Sequence, residues 1–231
     1  MITSAHLINE VRTIASSAGN SDDFKASDEL ILHWCNQVRS TLISQAIDKR
    51  NDILDIWIQN ISCLELELIN SSECCDFDTD CFVLRSIKEL PITIETSSKN
   101  MIIGVYTLDN QSIDELSVPK ARYSKYTKYG AKRTGWYIKN NRLYIINNIL
   151  LEKVTIAGIW DDPSELGNYI SCDNQVCWSV DSIYPASLKM VESIIDIVVK
   201  TKCQTMMSFQ LDNSNNASGS VPQQSQQSKT E

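Results

Sequence analysis

The spacing of apolar residues changes twice along this 231-residue chain, and that change constrains the fold more than any other feature. In the first fifty residues apolar side chains recur every three or four positions, which is typical of amphipathic helices. In the middle of the chain they alternate with polar residues, which predicts strands with one buried face. Helical spacing returns near residue 188. The chain is therefore predicted to have an α+β fold.

Two helices are predicted at the N-terminus. The first carries an apolar stripe formed by Leu7, Val11, Ile14 and Ala18 and ends near Gly19-Asn20. The second begins at Ser27, a good N-cap, and places Asp28 and Glu29 where the helix dipole favours negative charge. Its predicted buried stripe consists of Ile31, Trp34, Val38, Leu42 and Ala46, and it ends around Lys49-Arg50. Neither helix can bury its apolar face alone.

A small antiparallel β-region of about six strands is predicted next. Its clearest strand is Cys63–Leu68, where leucines alternate with glutamates. Asn140-Asn141 predicts a two-residue hairpin turn, because asparagine tolerates positive φ. The other strand candidates are Phe82–Arg85, Ile92–Glu95, Met101–Tyr106, Gly135–Lys139, Arg142–Ile146 and Val154–Trp160.

The C-terminal third predicts a helix start at Asp162-Pro163 and a final helix of roughly twenty residues after Tyr184-Pro185. We expect that final helix to pack on the two N-terminal helices. The predicted architecture is a helical bundle (residues 1–55 and 184–211) with an inserted β-rich domain (56–183). Residues 212–231 are rich in Asn, Ser and Gln, so we expect a tail that is disordered until a partner orders it.

Charge is unevenly distributed along the sequence. The net charge is −8, yet residues 51–119, the acidic segment, hold three basic and thirteen acidic residues, and residues 120–142 hold eight basic and no acidic ones. Opposite charges of this kind favour head-to-tail contact between copies or docking on a polyanion. A solvated basic loop without a partner is the other interpretation.

Residues 120–133, the basic segment, combine cations with tyrosines at every third position. Tyrosine and arginine commonly anchor protein interfaces, whereas tyrosines among cations can also stack on bases and contact phosphates. We favour a protein interface, since the whole chain is acidic. The candidate interface residues are Lys120, Arg122, Tyr123, Lys125, Tyr126, Lys128, Tyr129, Lys132 and Arg133.

The eight cysteines show no CxxC spacing, and no histidine lies near Cys74-Cys75 and Cys81 or near Cys172 and Cys177 in the sequence. With no signal peptide visible at the N-terminus, we expect reduced structural thiols in a cytoplasm, while one or more disulfides or a metal site stay open as alternatives. Asp76–Asp80 imitates the start of an EF-hand loop, but Cys81 replaces the glycine and Ile87 the glutamate.

The sequence offers little for catalysis. It has seven glycines and two histidines, His6 and His33, and it lacks phosphate-loop, dinucleotide and nucleophile-elbow motifs. The paired carboxylates Asp161-Asp162 and Glu65/Glu67 fit a turn and a solvated strand face. We therefore expect no enzyme activity, no cofactor and no metal. No apolar run is long enough to span a membrane, so we expect no membrane partner.

Three motifs and the order of elements carry a family resemblance. They are Trp136-Tyr137-Ile138-Lys139-Asn140-Asn141-Arg142-Leu143-Tyr144-Ile145, then Val154-Thr155-Ile156-Ala157-Gly158-Ile159-Trp160-Asp161-Asp162-Pro163, then Tyr184-Pro185 before the last helix. Over residues 1–210 the chain resembles the head-to-tail connector (adaptor or ring) proteins of short-tailed bacteriophages, particularly the crAss-like group.

The resemblance implies a non-enzymatic virion protein, made in the host cytoplasm, that forms a ring of usually twelve identical subunits below the portal. Portal and other connector or tail proteins would be its partners, with transient non-specific contact to the genome in the channel. Two other hypotheses remain open: an intracellular nucleic-acid-binding module that uses the basic segment, and an enzyme with scattered carboxylates.

Overall fold

Seven strands in the middle of the chain close into a β-barrel in the computed structural model. The structure describes residues 2–19, 26–50, 52–70, 82–97, 101–117, 119–120 and 133–206. The strands are β1 (Gln59–Asn70), β2 (Phe82–Ser86), β3 (Ile102–Tyr106), β4 (Ser112–Glu115), β5 (Gly135–Lys139), β6 (Arg142–Ile146) and β7 (Lys153–Gly158). Their order around the barrel is β1-β2-β6-β5-β4-β3-β7.

The strand pairs are antiparallel except for β4 and β5, which run parallel through Asp114–Gly135 and Glu115–Trp136. Apolar side chains from all seven strands fill the barrel interior, as alternation requires. Trp136 points inward, and its indole Nε1 donates to the carbonyl oxygen of Ile113 at 3.0 Å. That bond ties β5 to β4 across the short parallel pair.

The predicted turn between β5 and β6 is confirmed. Asn140 and Asn141 have φ values of 50° and 55°, the left-handed region that a two-residue hairpin needs. On the outer face of this hairpin, Tyr137 stacks on Tyr144 with ring centroids 5.1 Å apart. The outer face thus carries a second, smaller apolar cluster with Ile69 and Val83.

The helices are α1 (Ser4–Gly19), α2 (Asp28–Arg50) and α3 (Leu188–Val198), and α3 continues into a π-helical turn, Val199–Cys203. Ser187 caps α3 by accepting from the Met190 amide. Short 3₁₀ helices occupy Asp55–Trp57 and Pro163–Asn168, and Asp162 caps the second as its sequence predicts. Buried residues of α1, α2 and α3 share one apolar cluster.

The predicted fold class is wrong. The structure is not a helical bundle with a small inserted β-domain, because the β-region is a closed seven-stranded barrel and α2 packs directly against it. The candidate strand Ile92–Glu95 forms only a single β-bridge, between Thr93 and Trp160. Strand β4 was not predicted. Both errors have the same cause: four residues are too few for alternation to distinguish a strand from an extended loop.

The buried side of α2 also differs from the predicted stripe. Trp34, Val38, Leu42 and Ala46 are only partly buried, whereas the fully buried positions include Asn36, Arg39 and Ser40. The helix is therefore rotated so that a polar row faces inward.

The barrel has two distinct ends. At its proximal end, Ile43 and Ile47 of α2 pack with Trp57, Met101 and Ile159. At its distal end, β1, β3 and β6 terminate and the other four strands begin. The helices therefore cover one end of the barrel and leave the other free of helical contact within the described ranges.

Several predictions concern residues outside these ranges. The EF-hand-like stretch 76–80, the tail 212–231 and most of the basic segment lie there. In the part of the chain that is described, no helix has both the length and the apolar character to cross a lipid bilayer.

Candidate functional site: a buried polar clasp and an exposed barrel end

Arg39 is the buried centre of a polar network between α2 and the barrel. Its side chain is fully buried, with Nε donating to the carbonyl oxygen of Pro185 and Nη1 to that of Trp160, both at 2.9 Å. A guanidinium can satisfy two divergent carbonyls because its donors lie in a rigid plane. One side chain thereby joins α2 to the end of β7 and to the start of α3.

The neighbours of Arg39 on the same face of α2 extend this network. Asn36 donates to Asp162 at 2.8 Å and accepts from the hydroxyl of Tyr184 at 3.1 Å. Ser40 donates to Asp161. We call Asn36, Arg39, Ser40, Asp161, Asp162 and Tyr184 the clasp.

Burial and neighbouring charge set the ionisation of the clasp. Burial lowers the pKa of Arg39 to about 10, while the charges of Asp161 and Asp162 act in the opposite direction. The guanidinium therefore stays protonated at neutral pH. Burial also raises the pKa of Tyr184, so its hydroxyl stays a neutral donor to Asn36.

The clasp explains two of the sequence motifs. Trp160-Asp161-Asp162-Pro163 supplies a carbonyl, two carboxylates and the first turn of a 3₁₀ helix, and Tyr184-Pro185 supplies a hydroxyl and a carbonyl. Both motifs therefore have a structural role at the proximal end. The inward polar row on α2 was a signal that sequence reasoning missed, because polar residues were assigned to the solvated face.

Cys63 and Cys172 form a disulfide, so the expectation of reduced thiols throughout is wrong. The two residues are 109 positions apart in sequence, and their Cα atoms are 5.2 Å apart. Cys63 lies at a bulge in β1, with φ of 55°. The other described cysteines, Cys35, Cys177 and Cys203, are free thiols, and burial raises the pKa of Cys35 to about 12, which keeps it protonated.

The distal end of the barrel exposes large apolar side chains. Leu68 and Phe82 lie on β1 and β2, Leu108 lies in the β3–β4 turn, and Ile149 and Leu150 lie in the β6–β7 loop. Their exposed fractions are 51%, 56%, 55%, 55% and 86%. An apolar surface at one place on a protein commonly marks an interaction site.

Acidic residues lie on the same connections and strand ends as this apolar surface. Asp109, Asp114, Glu115 and Glu152 are all exposed on the loops and strand ends there. Arg133 reaches Asp114, with Nη1 3.6 Å from Oδ2. Among the described residues, the rim of this apolar surface is therefore mainly negative.

The structure describes two of the nine candidate interface residues. Lys120 and Arg133 are both exposed, and the other seven lie outside the described ranges. β4 ends at Glu115, opposite Trp136, the second residue of β5, and β5 begins at the distal end, so the chain leaves and re-enters the barrel close to that end. Part of the acidic segment is already neutralised within the chain, since Glu65, Glu67, Glu89 and Asp114 pair with Lys153, Arg85, Arg142 and Arg133.

The groups tested for chemistry are accounted for by these contacts. Glu65 and Glu67 belong to surface ion pairs, and Asp161 and Asp162 belong to the clasp. His33 contacts Gln37, and His6 lies 4.0 Å from Glu10 on α1. Among the described residues, no three His, Cys, Asp or Glu side chains are grouped as a metal site would require.

The family model described as phage tail ring protein 2, of crAss-like phages, matches residues 6–227. No curated protein matches the chain. Because the match covers almost the whole sequence, the chain belongs to this family of crAss-like phage tail ring proteins, which confirms the resemblance seen in the sequence and indicates a structural role in the phage tail.

Proposed function

We propose that this phage tail ring protein forms one ring of the portal–tail connector and supports or lines the passage for DNA. In this proposal the ring is a dodecamer of identical subunits without enzymatic activity. It contacts the portal and other connector or tail proteins, and the genome only transiently. The subunit is made in the host cytoplasm before it enters the virion.

The observation that carries the proposal is the way one chain combines a rigid body with an uncovered surface. The clasp and the α2–barrel cluster fix the helices to the proximal end. The distal end exposes apolar side chains and anchors the basic segment. A subunit with two different interaction surfaces forms heterologous contacts. Such contacts close into a ring when the rotation between neighbouring subunits allows closure.

We infer that the basic segment supplies one side of the subunit contact. Its six cations and three tyrosines lack any acidic residue of their own, and a neighbouring subunit brings acids close at high effective concentration. Exposed ion pairs contribute about 0–1 kcal/mol each, so tyrosine burial would provide much of the affinity.

Electron microscopy of the chain assembled with its portal protein tests the proposal. We expect rings on the portal with the wild-type chain and none with a Lys125→Glu/Lys128→Glu/Lys132→Glu variant that remains folded. A Lys189→Glu/Lys200→Glu/Lys202→Glu variant makes the same charge change on the helical side and should assemble. Normal assembly of the first variant, or no ring from the wild-type chain, would contradict the proposal.

The nucleic-acid-binding alternative has less support. The acidic rim at the base of the basic segment repels a polyanion at short range. A DNA-binding module would show an affinity that falls steeply with salt. Titration of the chain with labelled duplex at two salt concentrations separates the two functions.

A further inference from the structure

We propose that the distal end of the barrel is the surface that receives the basic segment of a neighbouring copy. The inference rests on the proposed ring of identical subunits and adds the receiving surface to it. Its residues are the five exposed apolar side chains Leu68, Phe82, Leu108, Ile149 and Leu150, with Asp109, Glu115 and Glu152 on the rim.

The apolar part of this surface continues the barrel core. Leu64 and Leu84 are buried inside the barrel, and Leu68 lies on the same face as both, directly opposite Leu84. Phe82 is diagonal to Leu68 on that face, since Asn70 pairs with Phe82. The inward-facing row of these two strands therefore extends past the closed core and becomes exposed.

The β6–β7 loop places two more apolar side chains beside this row. The amide of Leu66 donates to the carbonyl oxygen of Glu152 at 2.9 Å, which holds the loop against β1. The side chain of Leu150, two residues before Glu152, is 86% exposed. A leucine that is fixed at a surface and almost fully solvated gains most from a partner that covers it.

The rim provides the electrostatic complement of the basic segment. Within the described ranges Asp109, Glu115 and Glu152 make no ion pair. Asp109 lies in the β3–β4 turn, Glu115 is the last residue of β4, and Glu152 lies in the β6–β7 loop. A partner segment with tyrosines spaced among lysines can place its aromatic side chains on the apolar centre of this surface and its cations on the rim. Within one chain, Arg133 at the end of the basic segment pairs with Asp114, the neighbour of Glu115.

We take the partner to be a second copy, because the five apolar side chains are exposed among the described residues of the chain. The other possible arrangement is a contact between the basic segment and the rim of its own barrel. A charge-swap experiment separates the two arrangements.

The receiver variant carries Asp109→Lys, Glu115→Lys and Glu152→Lys, and the donor variant carries Lys125→Glu, Lys128→Glu and Lys132→Glu. We expect each variant alone to lose ring assembly on the portal by at least tenfold. An equimolar mixture should regain it, because each donor then finds a receiver of opposite charge. If a chain with all six changes regains ring assembly but the mixture does not, the basic segment contacts its own barrel. That result would overturn the proposed contact between copies.

A peptide titration tests the surface without requiring a ring. A fluorescein-labelled peptide of residues 119–134 should bind the wild-type chain, and Leu150→Ser should weaken binding at least tenfold. Leu188→Ser is the matched control, because Leu188 is 59% exposed at the start of α3. The receiving surface is overturned if Leu150→Ser and the receiver variant both bind the peptide as tightly as the wild-type chain, or if the wild-type chain does not bind it. The proposed function would still stand in that case if the wild-type chain forms rings on the portal.

Discussion

Replacement of Arg39 by methionine is the most direct test of how the helices are fixed to the barrel. Methionine keeps much of the apolar stem and removes the two bonds of the guanidinium to Pro185 and Trp160. Hydrogen bonds from a charged donor contribute about 1.5–3 kcal/mol each. Their loss also leaves two carbonyl oxygens without these donors and the acids of the clasp without a cation.

One term opposes this loss. The guanidinium is costly to bury, and within the described residues its Nη2 has no hydrogen-bond partner. Removing it recovers part of that cost. We therefore expect Arg39→Met to lower the free energy of unfolding by about 3–5 kcal/mol, which is the contribution of the two hydrogen bonds less the recovered part of that cost. For a protein of ordinary stability, about 5–15 kcal/mol, this is a large fraction.

Urea unfolding followed by tryptophan fluorescence measures the effect. At an m-value of about 2–3 kcal/mol/M the midpoint should fall by roughly 1–2 M. Arg12→Met is the matched control: Arg12 pairs with Asp28 at the surface, where loss of the pair costs about 0–1 kcal/mol. A loss under 1 kcal/mol for Arg39→Met, or one equal to that of the control, would refute the role of the clasp.

Three further measurements test other features. Desolvation, followed by the charge of Asp162, raises the pKa of Glu165, so the ionised form of Glu165 opposes folding. Glu165→Gln should therefore raise the midpoint of urea unfolding at pH 8. This gain should shrink as the pH falls through the raised pKa. A Cys63→Ala/Cys172→Ala variant should lose about 2–4 kcal/mol, and reductant should lower the stability of the wild-type chain but not of the variant. Asn141→Gly should stabilise the β5–β6 turn by about 0.5 kcal/mol and Asn141→Ala should destabilise it by about 1 kcal/mol, measured by thermal unfolding.

Local periodicity was enough to predict the helices and the strongest strands. The first two helices begin and end within a few residues of prediction, and Asn140-Asn141 identified the β5–β6 hairpin. These features depend on contacts between residues close in sequence, so a short stretch of chain contains all the information needed. The same holds for the cap at Asp162.

Closure of the barrel could not be predicted in this way. It depends on β4, a four-residue strand with the single buried apolar residue Ile113, and on its parallel pairing with β5 across the basic segment. The Cys63–Cys172 bond likewise joins positions that are 109 residues apart. Contacts at such separations leave no periodic trace in the sequence of either partner.

The buried face of α2 was predicted wrongly for a related reason. A buried arginine is unfavourable on any hydrophobicity scale, and it becomes acceptable only when carbonyls and carboxylates surround it. For Arg39 those groups lie at least 121 residues further along the chain. Polar residues at positions 36, 39 and 40, on one helical face, were the only local hint.

Two of the motifs that carried the family resemblance therefore have a structural role. Trp160 to Pro163 and Tyr184-Pro185 hold α2 to the proximal end of the barrel, which fixes the helical side of the molecule relative to the distal end. In a ring, small errors in the angle between two contact surfaces accumulate from subunit to subunit, so closure demands a rigid connection between them. A weakened clasp should thus impair ring closure even where each subunit remains folded and both contact surfaces are intact.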